Sequence, residues 1–113
     1  MQVLIMVLNK TNYLEDIVKE LNHCKIRGAT IIDSTGMAKI LTSCGEEIPV
    51  FGSLKMLLNE KRPFNKTIFT VLKDEQIPIA INAIKKVVGD LSKPDVGILF
   101  TLPVNYVEGI CLD

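Results

Sequence analysis

The chain has 113 residues, room for one domain. Its 13 Lys and Arg balance 13 Asp and Glu, so it lacks the basic excess that nucleic-acid and membrane-surface binding normally need. Aromatic residues make up 5% with no Trp, which argues against base-stacking platforms, and no apolar run approaches the ~18–20 residues of a membrane span.

Residues 2–8 read as a strand. Six consecutive apolar residues, Val3 to Leu8, fit a strand covered on both faces. Asn12 and Glu15 then stand at capping-box spacing. Leu14, Ile17, Val18 and Leu21 follow at i, i+3, i+4 and i+7, with Cys24 extending the stripe, which predicts an amphipathic helix over about 12–24. Gly28 breaks it, and residues 29–33 read as a second strand. Residues 36–63 hold Gly36, Gly45, Pro49, Gly52 and Pro63 among mixed charges and read as a long irregular connection. Within it only 53–59 has helical spacing, with Ser53 as N-cap for Leu54, Leu57 and Leu58.

Residues 67–72 form a third predicted strand. Ile77, Ala80, Ile81, Ile84, Val87 and Val88 define a second helix, with Pro78 in its first turn and Gly89 at its end. A polar loop over 91–96 leads to a fourth strand, 97–102, stopped at Pro103. The tail from Val104 onward carries no clear pattern.

The order β-α-β, long connection, β-α-β predicts an α+β fold. It is a ferredoxin-like βαββαβ sandwich, a four-stranded antiparallel sheet with two helices on one face. Strands 1 and 4 are apolar at consecutive positions, so the face without helices also carries apolar side chains. That predicts an oligomer that buries it.

Residues 25–39, Lys-Ile-Arg-Gly-Ala-Thr-Ile-Ile-Asp-Ser-Thr-Gly-Met-Ala-Lys, resemble the end of helix 1, strand 2 and the T-loop base of PII signalling proteins. That family has a Gly-x-Thr strand leading to a Gly-hydrophobic-Gly-Arg turn; the matching turn here is Gly36-Met37-Ala38-Lys39. The resemblance covers about 1–39 and 63–107. It makes residues 1–113 a single PII-like domain with a T-loop-like insertion at about 37–63, and places 89–97 at the family's B-loop.

The resemblance implies a cytoplasmic homotrimer that senses a small ligand in the clefts between subunits. It signals to a regulated protein partner through the 37–63 loop, as in nitrogen regulation. Gly28, Thr30, Gly36, Met37, Ala38 and Lys39 would line the base side of a cleft, and Lys93 and Gly97 would lie on the B-loop. The chain departs from the family on the phosphate side. Ile98 stands where the family has a second B-loop Lys, and its C-terminal Arg-x-Arg pair would fall near Gly109 and Cys111. Three cations are thus missing. At roughly 1.5–3 kcal/mol for each charged hydrogen bond, adenine-nucleotide binding should be weak. The 37–63 loop also has no Tyr, so the family's uridylylation site is absent.

The remaining chemistry-bearing residues give less. Cys24, Cys44 and Cys111 form no CxxC pair and are odd in number, the usage of a reduced cytoplasmic protein. His23, the only His, has no ligand partner at metal spacing, and Cys44 lacks a neighbouring base. Residues 33–36, Asp-Ser-Thr-Gly, lack the Gly-x-Ser-x-Gly frame of a nucleophile turn. Glu46 and Glu47 read as a solvated pair, and Lys61, Arg62, Lys66, Lys85 and Lys86 as scattered surface charge. No nucleophile, base and orienter come together, so no enzyme is expected. The alternative is another ferredoxin-like binding module. An ACT-type amino-acid sensor is disfavoured by the length of the second loop. A CutA-like metal-binding protein is disfavoured by the lack of Trp and of clustered ligands.

Overall fold

A computed structural model describes residues 1–43 and 64–110. The expected helix over 53–59, Cys44, Glu46, Glu47, Lys61, Arg62 and Cys111 lie outside the described residues.

Four strands form one sheet: β1 (Gln2–Leu8), β2 (Ala29–Ser34), β3 (Asn65–Leu72) and β4 (Gly97–Pro103). Their order is β2-β3-β1-β4 and every pairing is antiparallel. Helices α1 (Leu14–His23) and α3 (Ile77–Val88) pack against each other, while α2 (Met37–Ser43) follows β2. This is the predicted α+β sandwich. β1 and β2 run in the same direction with β3 between them, as a split βαβ unit requires.

Alternation along the strands decides what is buried. Leu4, Met6 and Leu8 of β1 and Ile68 and Leu72 of β3 are at most 2% exposed and meet Ile17, Leu21, Ala80 and Ile84 of the helices. Thr70 shares this face; its hydroxyl donates to the Gly28 carbonyl at 3.3 Å, which satisfies a buried polar group. Pro78 lies in the first turn of α3, where a missing N–H costs nothing, and Gly89 caps its end at φ 76°.

Four expectations need correction. The Asn12–Glu15 capping box does not form: residues Thr11–Tyr13 make a 3₁₀ turn, and Tyr13 precedes α1 without a side-chain cap. The Gly36-Met37-Ala38-Lys39 turn is the start of α2; the Gly36 carbonyl accepts from the amides of Lys39 at 3.2 Å and Ile40 at 3.3 Å. Val18, placed on the apolar stripe of α1, is 40% exposed at its edge. Val96, assigned to a polar loop, is buried, because the Asn9 amide bonds its carbonyl at 3.0 Å and ties it against the end of β1.

α1 ends in a Schellman motif. The Ile26 amide donates to the Leu21 carbonyl and the Lys25 amide to the Asn22 carbonyl, both at 2.9 Å, while Ile26 and Leu21 are both buried. The left-handed position, normally glycine, is Lys25 at φ 63°. A side chain there costs about 1 kcal/mol.

Candidate functional site

The antiparallel register divides the predicted site residues between two ends of the sheet. β1 and β2 finish where β3 and β4 begin: Leu8 pairs with Lys66 and Gly97, and Ser34 pairs with Asn65. Gly36, Met37, Ala38, Lys39, Lys93 and Gly97 all belong to this end. Gly28 precedes β2, toward the other end, where Gln2 pairs with Leu72, while Thr30 pairs with Phe69 opposite Ile5 in the middle of β1. From Thr30 to Ser34 the strand advances about 13 Å at ~3.3 Å per residue, and Gly36 lies two residues further on. One chain therefore does not bring the predicted residues to a single cleft.

At the first end, Met37 and Ile40 of α2 are exposed, at 75% and 53%, while Ala38 and Lys39 are half-buried. Lys66 forms an ion pair with Asp33, and the Ser34 and Thr67 hydroxyls meet at 2.7 Å. The 89–96 segment is held by Asp90, whose carboxylate accepts from the Ser92 hydroxyl at 2.7 Å and amide at 2.9 Å. Those bonds, the hydroxyl's first, hold the Asp90 carboxyl below the usual carboxylate range. Lys93 is exposed on this turn. Gly97 lies inside β4 at φ 144°, and a Cβ there would stand 2.1 Å from the Val7 carbonyl oxygen. Close packing on β1 explains this glycine without a ligand.

At the second end a concavity of about 600 Å³ opens beside β2 and β3. Its walls are Phe69, Val71 and Leu72, the α1–β2 connection with Lys25, Arg27 and Gly28, Gln76, and Gly109 and Ile110 of the C-terminal tail. The tail is led there by the Val104 amide bonding the Met1 carbonyl at 3.1 Å. Thr30 lines the same concavity. Gly28 has nothing within 4 Å of where its Cβ would be, so no backbone or packing demand explains that glycine. Lys25, Arg27 and Gln76 were not singled out by sequence reasoning. The signal available for the first two was their position directly before the Gly-x-Thr motif.

The other candidates sit on the surface. His23 is exposed and faces Glu20 across 3.8 Å. Lys86 pairs with Glu20 at 3.4 Å and Lys66 with Asp33, so these cations are neutralised locally. Among the described residues no group of three or more His, Cys, Asp or Glu could hold a metal ion. Among them, too, no helix is long and apolar enough to cross a membrane.

Among the described residues, the sheet face turned away from the helices is apolar and bare. Val3, Ile5, Val7, Phe69, Val71, Ile98, Phe100 and Leu102 alternate with the core residues along β1, β3 and β4, and Ile32 adds to them from β2. Phe100 is 41% exposed, Leu102 49% and Ile98 59%.

No family model matches the chain, and no curated protein matches it. Among solved structures, the chain is similar to the crystal structure of Arabidopsis thaliana PII bound to citrate, at a TM-score of 0.61 and 18% identity, over 91% of this chain and 73% of that one. The fold is thus PII-like.

Proposed function

We propose that the protein is a PII-like trimeric regulator. In this reading it binds a small ligand between subunits and signals to a partner protein through the 37–63 loop. The observation that carries the reading is the separation of the site residues. Gly28 precedes β2 and Gly36 follows it, with about 13 Å of strand between Thr30 and Ser34 alone, so a cleft using both sets needs two copies of the chain. The bare apolar face supports such an assembly, since a patch of this kind is seldom left in water. The similar plant PII structure is bound to citrate, a small carboxylate, which supports reading this chain as a binder of small ligands. The chain acts as a binding and signalling protein, not as an enzyme, and works in the cytoplasm.

Light scattering tests the assembly: a mass three times the 12.5 kDa chain is expected, and a monomer at micromolar concentration overturns it. Thermal-shift screening tests the ligand class. A response to nucleotides or small carboxylates fits the PII-like reading, an amino-acid response an ACT-type sensor, and a divalent-metal response a CutA-like protein.

A further inference from the structure

The two halves of the chain share an oddity in the connection before their second strand. Among the described residues only Lys25, at φ 63°, and Asp95, at φ 68°, are non-glycine residues in the left-handed region. Glycine would adopt that backbone without strain, and charged side chains kept there point to a use for the charge. Lys25 stands between α1 and β2, Asp95 between α3 and β4. Neither has an ion-pair partner among the described residues, unlike Lys19, Lys66 and Lys86. Arg27 adds a second cation beside Lys25. Its Nε donates to the Asn22 side-chain oxygen at 3.0 Å, which orients the guanidinium and leaves its outer nitrogens available. The concavity that Lys25 and Arg27 line holds no carboxylate. On the opposite turn, Asp90 is already held by Ser92, which leaves Asp95 as the unanswered anion.

One chain cannot join these charges. Asp95 precedes Gly97, which pairs with Leu8 at the end of β1, whereas Lys25 and Arg27 precede β2, toward the end where Gln2 pairs with Leu72. About 20 Å of strand separates Gln2 from Leu8. We infer that the partner is a second copy of this chain: Lys25 and Arg27 of one copy hold the Asp95 carboxylate of the next, at the joint between them. The inference rests on the proposed trimer, whose clefts set Gly28 of one copy beside Lys93 and Gly97 of another. Arg27 adjoins that glycine, and Asp95 lies between those two residues. Such a joint is head-to-tail. Each copy gives its cations to one neighbour and its carboxylate to the other, and three joints close the ring. The neighbour's carboxylate stands where a cationic cleft would otherwise draw an anion from solution, so the ring closes without a ligand.

Charge reversal in the full chain, followed by light scattering over a dilution series, tests it. The parent should have the mass of three chains and should lose it at a smaller dilution when salt is raised. Asp95→Lys should raise the concentration needed to hold the assembly by at least about tenfold, because all three joints change from attraction to repulsion. Lys25→Glu combined with Arg27→Glu should do the same. The chain carrying all three substitutions should assemble like the parent, since every joint again sets unlike charges together; a merely structural fault would not be repaired this way. Lys25→Gly combined with Asp95→Gly should weaken the assembly yet keep or raise the melting temperature of the dilute chain, which separates a lost contact from a lost fold. A trimer that neither reversal weakens, or reversals that the triple variant does not repair, overturns the inference and leaves the proposed trimer standing. A parent that is monomeric at micromolar concentration overturns the trimer and the joint together.

Discussion

Leu4 and Ile5 are neighbours in β1, pair with the same two strands and have almost the same chemistry. Leu4 is fully buried and Ile5 only half-buried, because alternate residues of a strand point to opposite faces and helices cover just one of them. The difference repeats across the sheet, with Met6 against Val7, Ile68 against Phe69, and Leu99 against Phe100. Hydrophobicity alone therefore does not mark a core. On the helix face it holds the chain together; on the bare face it is available for holding chains to one another.

Substitutions on the two faces should separate these roles. Leu4→Ala opens a cavity among side chains that cannot all collapse into it, and should cost about 3 kcal/mol in a denaturant melt. An equal loss from Ile5→Ala in the monomeric chain would erase the contrast. Gly97→Ala sharpens it. The added methyl points to the covered face, against the Val7 carbonyl at 2.1 Å and the Met6 methyl at 3.1 Å. The strands must part, at about 2 kcal/mol. Retained stability would mean that β4 yields more readily than its pairing with β1 suggests. Phe100→Asp, on the bare face, should cost the isolated chain less than about 1 kcal/mol while lowering the mass seen by light scattering. An unchanged mass would show that the bare face is not the assembly surface.

The two faces were legible in the sequence for a simple reason. Val3 to Leu8 and Ile98 to Phe100 are apolar without interruption, and two amphipathic helices cannot cover both sides of a four-stranded sheet. α1, α3 and all four strands were legible from period and glycine punctuation. α2 was not, although Met37, Ile40 and Leu41 have helical spacing; the glycines and prolines around it made the whole stretch read as a loop. The start of α1 was misread because Asn12 has the chemistry of a cap but sits inside a 3₁₀ turn. The pocket beside Gly28 was out of reach for another reason. Gly109 and Ile110 line it from more than 70 residues away, and no local pattern announces where a tail will come to rest.

The smallest expected effect lies at the end of the sheet, outside both faces. The Asp74 carboxylate accepts from the Gln2 side chain at 3.1 Å and meets the N-terminal ammonium at 3.2 Å, fastening the start of β1 to the turn after β3. The Gln2 hydrogen bond, then the ammonium, lowers its pKa from 3.8. A folded-state pKa below the unfolded one means that the contact stabilises at pH above the unfolded value, and that this contribution is lost as pH falls through the folded value. Asp74→Asn should therefore change nothing in the shape of the stability profile above about pH 5 and flatten it slightly below pH 4. Because the carboxylate is exposed, water and salt screen it, and the flattening should shrink further at high ionic strength. Acid melts of the parent and variant at two salt concentrations provide the measurement. If the variant keeps the parent's full acid sensitivity, the contact does not fasten β1, and the strand is held by its ladders and its covered face alone.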